Sequence, residues 1–160
     1  MQKVTVLCVG KLKEAFYAAA VAEYQKRLQR HCKLEIVELP EQKLPESPAP
    51  AEIEQALARE AALIEEKLPK GGAVIALCIE GKQISSEELA QFLADRANSG
   101  AGDVAFVIGS SHGLSDEVKR AAALRFSMGR ITMPHQLARL VLTEQIYRAC
   151  TINAGMKYHK

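Results

Sequence analysis

Apolar and polar segments alternate along the chain in a way that predicts strands and helices in turn. Short apolar and β-branched runs are typical of buried strands, and they occur at residues 4–10, 33–40, 73–79 and 103–109. A further extended segment follows at 125–133 and is broken at Gly129. Amphipathic stretches predict helices at 14–30, 51–68, 85–98, 115–124 and 136–152. This rhythm predicts an α/β fold with a mostly parallel sheet and helices on both faces.

Residues with strong local preferences mark where helices begin and where the chain turns. Ser85 stands three residues before a glutamate, which is the signature of a capping box, and Ser115 is a candidate N-cap. Gly81 and Lys82 predict a turn after the third strand. The segment 41–50 contains three prolines and predicts a loop, either a simple connector or a mobile lid.

The first and last helices carry apolar patterns that predict different surroundings. The inward face of the first helix is expected to hold Phe16, Ala20, Val21, Tyr24 and Leu28. The last helix is apolar almost all the way round, with Leu137, Leu140 and Val141 on one side and Leu142, Ile146 and Ala149 on another. A helix of this kind needs burial on more than one face, which favours contact with a partner subunit.

Composition narrows the class of protein. With 160 residues the chain has the size of one domain, so we expect a single domain over residues 1–160. Hydrophobic residues make up 48% and charged residues 25%, which excludes a disordered or collagen-like chain. No apolar run approaches the roughly 20 residues of a membrane helix, and no signal-peptide pattern is visible, so we expect a cytoplasmic protein without membrane contact. Four widely spaced cysteines favour buried free thiols and predict no metal site.

Charge is distributed unevenly along the chain. Residues 1–117 contain 13 Lys and Arg against 18 Asp and Glu, whereas residues 118–160 contain 8 against 1. The C-terminal part is therefore strongly basic, although the whole chain has a net charge of only +2. A basic surface suits nucleic acid or nucleotide phosphates, and an ordinary solvated face is an equally good interpretation of charge alone.

Two loops at the ends of predicted strands are candidate binding segments. The loop 109–114, GSSHGL, leads from a strand to a helix, but it is neither G-x-G-x-x-G nor a P-loop. Its glycines serve either a ligand or only a tight turn. The loop 127–135 mixes small and apolar residues, so it either encloses an adenine or crosses the core. Both loops are expected at the carboxyl edge of the sheet, where ligands of open α/β sheets bind.

The last helix and the residues after it hold the remaining candidates. Glu144 and Arg148 are spaced i,i+4 and can form an ion pair, which is either structural or functional. The segment 157–160, KYHK, offers an aromatic ring, an imidazole and two cations, or is simply a frayed terminus. No Ser, His and acid arrangement indicates a hydrolase, and no carboxylate pair indicates a glycosidase.

Taken together, the segments at 106–114, FVIGSSHGL, at 131–149, ITMPHQLARLVLTEQIYRA, and the final YHK resemble the ribosomal RNA large subunit methyltransferase H family of SPOUT-class enzymes. The VGK turn at 9–11 and the strand ending near Leu77 extend the resemblance over nearly the whole chain. The resemblance implies a SPOUT-type α/β fold with a C-terminal trefoil knot, and a homodimer with both active sites at the interface. It also implies transfer of a methyl group from S-adenosylmethionine to N3 of a pseudouridine in a 23S rRNA stem-loop of the assembled ribosome, without a metal.

The resemblance also implies roles for particular residues. The cofactor-binding segments match Leu77, Gly109, Met128, Gly129, Arg130, Ile131, Thr132 and Met133. The catalytic group matches Glu144, Arg148, Tyr158 and His159. In this hypothesis Tyr158 and His159 contact the uracil ring, Arg148 and Lys160 hold phosphate or developing charge, and Glu144 orients Arg148. The chain departs from the family pattern at Ser110, where a second glycine is usual, and at Lys160, where an arginine is more typical.

Two other functions remain alternatives at this point. The first is an RNA-binding module without catalytic activity, which would use the same basic C-terminal part. The second is a flavodoxin-like mononucleotide binder, because that class shares the α/β rhythm. Binding of S-adenosylmethionine separates the enzyme from the first alternative, and a yellow flavin colour would indicate the second.

Overall fold

The computed structural model describes all residues, 1–160, and contains five strands that alternate with five helices. In chain order these elements are β1 (Lys3–Val9), α1 (Ala15–Leu28), β2 (Lys33–Leu39), α2 (Pro50–Lys67), β3 (Ala73–Gln83), α3 (Ser86–Asn98), β4 (Val104–Ile108), α4 (Asp116–Ala121), β5 (Leu124–Ser127) and α5 (His135–Asn153). The sheet order is β2-β1-β4-β3-β5, and every neighbouring pair is parallel. This confirms the predicted α/β class. The order differs from the 2-1-3-4-5 order of flavodoxin-like sheets, so that alternative is wrong.

Helices cover both faces of the sheet because the central strands are apolar on both sides. On β1, Val4, Val6 and Cys8 point into a core that also holds residues of α1, α3 and α5. The alternate residues Leu7 and Val9 point into a second core with residues of α2 and α4. Side chains of a strand alternate between faces, so a strand that is buried on both faces reads as a continuous apolar run.

The predicted helix starts agree with the structure where a side chain caps the helix. The Ser85 hydroxyl accepts a hydrogen bond from the Glu88 amide at 3.1 Å, and the Glu88 carboxylate accepts one from the Ser85 amide at 2.7 Å. This reciprocal pair is the capping box that the sequence predicts. The Ser115 hydroxyl accepts a hydrogen bond from the Val118 amide and so caps α4.

The predicted end of α4 and the predicted turn at Gly81 and Lys82 are wrong. Helix α4 ends at Ala121 rather than Leu124, because Leu124 opens β5 and pairs with Ile75 of β3. Gly81 and Lys82 do not form a simple turn, because β3 continues through them with a register shift against β5. A Cβ at Gly81 would lie 2.7 Å from the Arg125 carbonyl oxygen, so the glycine permits this close strand crossing.

Phe16 does not lie on the buried face of α1. Its side chain is 65% exposed and packs against Tyr17 with ring centroids 4.5 Å apart. Of the five residues predicted to face inward, only Val21 and Leu28 are fully buried. The start of α1 therefore extends beyond the layer of helices that covers the sheet, and an exposed aromatic ring remains there.

Helix α5 lies between α1 and α3 and is buried on more than one side, so helices of the same chain supply burial that the sequence analysis expected from a partner subunit. Seven of its residues are buried: Arg139, Leu142, Thr143, Ile146, Tyr147, Ala149 and Thr151. Leu137, Leu140 and Val141 remain only half-buried. The Arg139 side chain, 2% exposed, donates hydrogen bonds to Glu38 at 2.7 Å and to the Gly10 carbonyl at 3.1 Å. These contacts fix the start of α5 at the carboxyl edge of β1 and β2. None of the five helices combines the length and apolar character that crossing a bilayer requires.

Candidate active site

A cavity of about 790 Å³ lies at the carboxyl edge of the sheet, beyond the ends of β4 and β5 and beside the middle of β3. This volume falls within the range of roughly 300–1,000 Å³ that ligand pockets occupy. Three segments form most of its wall, namely 77–80 within β3, 108–114 from the last residue of β4 onward, and 128–135 after β5 without Arg130. Parallel strands bring the loops that follow them to one edge, so segments far apart in sequence meet there.

The loop 109–114 takes a tight path that only glycine allows at its start. A Cβ at Gly109 would lie 2.3 Å from the Gly113 carbonyl oxygen, so any larger residue would displace the loop. The Gly113 amide donates a hydrogen bond to the Ser110 carbonyl at 2.8 Å, and Gly113 has a φ of +83°. His112 also lines the cavity. The loop therefore presents backbone groups to the cavity at close range.

The loop 128–135 forms the opposite wall. Gly129 has a φ of +126°. The Ser127 hydroxyl accepts a hydrogen bond from the Gly129 amide at 3.2 Å and donates one to the Gly129 carbonyl at 3.1 Å. Of the residues predicted to bind the cofactor, Leu77, Gly109, Met128, Gly129, Ile131, Thr132 and Met133 all line the cavity. Arg130 lies in the same loop with an exposed side chain that is not part of the lining.

Charged side chains in the cavity wall form one pair. Lys119 of α4 and Glu80 at the end of β3 both line the cavity and form a salt bridge. The hydrogen bond from Lys119 lowers the pKa of Glu80. Cys78 also lines the cavity, and burial raises the pKa of its thiol. No group of three or more His, Cys, Asp or Glu side chains is arranged to hold a metal ion.

The four residues predicted to be catalytic lie together where the segment after α5 packs on that helix. Glu144 accepts hydrogen bonds from the Arg148 guanidinium at 2.6 and 3.1 Å and from the Tyr158 hydroxyl at 3.0 Å. Arg148 also lies 3.2 Å from Nδ1 of His159, and its guanidinium carbon is 4.8 Å from the centroid of the Tyr158 ring. We call these four residues the polar cluster. The segment after α5 therefore folds back and packs on the helix rather than fraying.

Hydrogen bonds connect the polar cluster to α3 and shift the pKa values of Glu87 and Tyr158. His159 Nε2 lies 2.6 Å from the Glu87 carboxylate, and this contact lowers the pKa of Glu87. Burial and hydrogen bonds with Tyr24 and Glu144 raise the pKa of Tyr158 well above its usual value. Tyr158 therefore keeps its proton at neutral pH and acts as a hydrogen-bond donor rather than a base.

Cavity and polar cluster are separate within one chain. None of the four residues of the cluster lines the cavity at the end of the sheet. A smaller groove of about 270 Å³ shares Phe126, Met128 and Gly129 with the cavity and reaches Val141 and Gln145 of α5. The Gln145 amide donates a hydrogen bond to Glu144 at 2.8 Å, so the groove approaches the cluster without including it.

Three buried or paired groups that shape the site were not predicted from the sequence. These are Arg139 under the start of α5, the Glu80–Lys119 pair in the cavity wall, and Glu60, which is 3% exposed on α2. Glu60 shares a helix face with the buried Ala56 and Ile64, at i−4 and i+4. A carboxylate inside an apolar stripe was the signal that could have identified it.

Comparison with known proteins identifies the class. The family described as "Predicted SPOUT methyltransferase" matches residues 2–159. The chain belongs to this family and is therefore a methyltransferase, which confirms the predicted enzyme class and fold type.

Individual proteins with a more specific name also match the chain over nearly its whole length. The "Ribosomal RNA large subunit methyltransferase H" of Streptococcus equi subsp. zooepidemicus (strain MGCS10565) is 49% identical over 158 residues, which cover 99% of each chain. The protein of the same name from Lactobacillus delbrueckii subsp. bulgaricus (strain ATCC BAA-365 / Lb-18) is 50% identical over 157 residues, or 98% of this chain and 99% of that one. The chain thus belongs to the ribosomal RNA large subunit methyltransferase H family, as its motifs predict.

Solved structures with a similar chain path include the SpoU methyltransferase AviRb from Streptomyces viridochromogenes in complex with AdoMet. It is 13% identical, with a TM-score of 0.46 and coverage of 96% of this chain. A second structure of AviRb is 9% identical, with a TM-score of 0.48 and coverage of 97% of this chain. The present chain spans only 58% and 61% of those two chains.

Proposed function

We propose that the protein transfers a methyl group from S-adenosylmethionine to N3 of a pseudouridine in a stem-loop of 23S rRNA, within the assembled ribosome. The observation that carries this proposal is the pairing of a nucleoside-sized cavity with a cluster of groups suited to a base and its phosphate. Near-full-length identity of 49–50% to ribosomal RNA large subunit methyltransferase H supports the choice of rRNA as substrate.

The cavity fits S-adenosylmethionine in size and chemistry. Leu77, Met128, Ile131 and Met133 supply apolar surface for an adenine ring, and the loop after β4 supplies backbone groups at close range. Gly109 keeps that loop close, since a side chain there would collide with the Gly113 carbonyl. The cofactor supplies a methyl group on a sulfonium, which is already activated for displacement. The protein therefore contributes mainly orientation and exclusion of water.

The polar cluster is suited to hold the base that receives the methyl group. Tyr158 and His159 offer rings that can stack on a uracil and groups that hydrogen-bond its edge. Arg148 and Lys160 supply positive charge for phosphate or for charge that develops on the base. Glu144 orients both Arg148 and Tyr158 through the hydrogen bonds described above. The four residues of the polar cluster, together with the cofactor-binding residues, are the proposed active site, and Lys160 adds positive charge beside it.

A homodimer would bring the two halves of the site together. Leu137, Leu140 and Val141 leave half-buried apolar surface on α5. This surface lies on the side of the helix that also carries Glu144 and Arg148, at i+3, i+4 and i+7 spacing. A partner that packs there buries the apolar surface and receives the polar cluster at its own cavity. We therefore propose that the terminus of one protomer delivers the base to the cofactor of the other.

Recognition of the ribosome would rest on the basic C-terminal part of both protomers. Residues 118–160 carry a charge of +7, from 8 Lys and Arg against 1 Glu. Arg125 and Arg130 are exposed beside the cavity and form no salt bridge, so both are free to contact phosphate. We treat residues 1–160 as one catalytic domain of a cytoplasmic enzyme, since its proposed substrate is the ribosome.

A methyl-transfer assay tests the proposal directly. The protein is incubated with radiolabelled S-adenosylmethionine and either naked 23S rRNA or whole ribosomes that lack the modification. We expect incorporation into ribosomes and little into naked RNA, with the label on N3 of one pseudouridine by mass spectrometry. No incorporation into either substrate would contradict the proposal and favour an RNA-binding module without activity.

A further inference from the structure

Glu60 is a buried carboxylate that the proposed chemistry does not use. It is 3% exposed, on the side of α2 that faces the sheet. A buried carboxylate is costly unless hydrogen-bond donors satisfy its oxygens. The two oxygens of Glu60 have different partners, and no cation pairs with either of them.

The partners of Glu60 belong to two loops. Oε1 accepts a hydrogen bond from the Ser110 hydroxyl at 2.9 Å, inside the protein. Oε2 accepts one from the backbone N–H of Gln42 at 2.9 Å, in the proline-containing segment that precedes α2. One side chain on a rigid helix therefore fixes both the loop after β4 and the segment 41–50. This contact also shows that the segment is held down near Gln42.

Ser110 lies at a sensitive point of the cavity wall. It directly follows Gly109, is 8% exposed, and its backbone carbonyl accepts the hydrogen bond that closes the loop on Gly113. A serine side chain here would obstruct a ligand if its hydroxyl pointed into the cavity. Its bond to Glu60 instead directs the hydroxyl toward α2, which leaves the backbone of the loop to face the cavity.

We infer that Glu60 and Ser110 form a positioning pair that holds the cofactor loop in its binding conformation before S-adenosylmethionine arrives. The inference rests on the proposed cofactor site and adds to it two residues that do not act on the methyl group. A loop ordered in advance costs less conformational entropy on binding, so the pair strengthens cofactor binding without contacting the reacting atoms. It also explains how this chain accommodates serine where the family usually has glycine.

Isothermal titration of the full-length protein with S-adenosylmethionine, without RNA, tests the pair. Ser110→Ala removes one hydroxyl, and Glu60→Leu removes both acceptors. We expect each to weaken the Kd about tenfold, the effect of one lost hydrogen bond to a charged group. The double variant should be no weaker than the poorer single variant, because both substitutions break the same bond. Glu60→Gln keeps a polar group for each partner and should stay within threefold of the parent.

Catalytic measurements separate positioning from general damage to the fold. With saturating substrate, Ser110→Ala should raise the KM for S-adenosylmethionine about tenfold and leave kcat within twofold. The control Ser85→Ala removes a capping hydroxyl remote from the cavity, lowers stability, and should leave the Kd unchanged. If Ser110→Ala binds the cofactor within threefold of the parent, or if the two losses add, the inference is wrong. Failure of the proposed RNA substrate would leave these Kd values as they are. If Glu60→Leu does not fold, Ser110→Ala alone decides the question.

Discussion

Glu144 holds the polar cluster together, so removing its carboxylate is the sharpest test of the proposed base-binding group. Its side chain is 17% exposed and accepts four hydrogen bonds, two from Arg148, one from Tyr158 and one from the side-chain amide of Gln145. Glu144→Ala deletes all of them and keeps a residue that favours helix. Arg148 and Tyr158 then lose the contacts that orient them, while the cavity wall stays intact because Glu144 is not part of it.

The size of the effect follows from those contacts. Hydrogen bonds to a charged group contribute about 1.5–3 kcal/mol each, and both residues that Glu144 orients for the base, Arg148 and Tyr158, lose such bonds. Because Arg148 is partly exposed to solvent, its hydrogen bonds to Glu144 contribute less. We therefore expect the loss of orientation to raise the activation free energy by about 2–3 kcal/mol. Because 1.4 kcal/mol corresponds to a factor of ten, methylation should slow by roughly 30 to 150-fold.

Initial rates of methyl transfer to ribosomes measure this loss, and titration calorimetry measures cofactor binding beside it. The Kd for S-adenosylmethionine should remain within twofold of the parent. Glu23→Ala is the matched control, since Glu23 forms an i,i+4 pair with Arg27 at 3.1 Å on a different helix. That variant should methylate at the parental rate. A rate for Glu144→Ala within threefold of the parent would refute the role assigned to the cluster.

Three further predictions address the tail, the buried arginine and the cavity thiol. Tyr158→Ala and His159→Ala should each abolish methylation and leave the cofactor Kd nearly intact; an equal loss of both activities would undo their assignment to the base. Arg139→Met should lower the free energy of unfolding at pH 7 by about 2 kcal/mol in urea titrations. Burial opposes ionisation of Glu38, but hydrogen bonds from Arg139 and the Leu12 amide outweigh it and lower the pKa of Glu38. The lowered pKa means that the pair stabilises the fold above the usual glutamate range and that this contribution disappears as pH falls through the folded-state value. The difference between parent and Arg139→Met should therefore shrink below pH 4, and a constant difference would contradict it. Cys78 lines the cavity, so saturating S-adenosylmethionine should slow its alkylation by N-ethylmaleimide several-fold, as measured by peptide mass spectrometry; unchanged alkylation would argue against the cofactor position.

Much of the fold could be predicted because local signals and periodicity agree with the tertiary structure. The strands covered on both faces read as apolar runs, and the Ser85 capping box marks the start of α3 from sequence alone. The end of α4 could not be predicted, because the alanine-rich sequence up to Ala123 favours helix, whereas the strand that begins at Leu124 depends on pairing with β3. Likewise, nothing local distinguishes the exposed Phe16 from an inward-facing residue. Threading of the C-terminal segment as a knot stays a prediction.

For the candidate site, too, one part could be predicted from the sequence and another could not. Motif resemblance identified the two loops and the polar cluster, and the structure brings each group together. The Glu60–Ser110 and Glu80–Lys119 pairs join residues 50 and 39 positions apart, so their proximity depends on the strand order. Sequence spacing does not encode that order.

In the proposed homodimer the cavity of one protomer works with the polar cluster of the other, and subunit complementation tests this arrangement. Thr132→Trp should fill the cavity at an exposed position, and His159→Ala should disable the cluster, so each homodimer should be inactive. Differently tagged variants are co-expressed, the mixed dimer is purified, and its methylation of ribosomes is compared with the parent. We expect the mixed dimer to have about half the parental activity, because one complete site forms from the intact cavity of one subunit and the intact cluster of the other. A mixed dimer as inactive as the two variant homodimers would contradict this arrangement and indicate a site completed within a single chain.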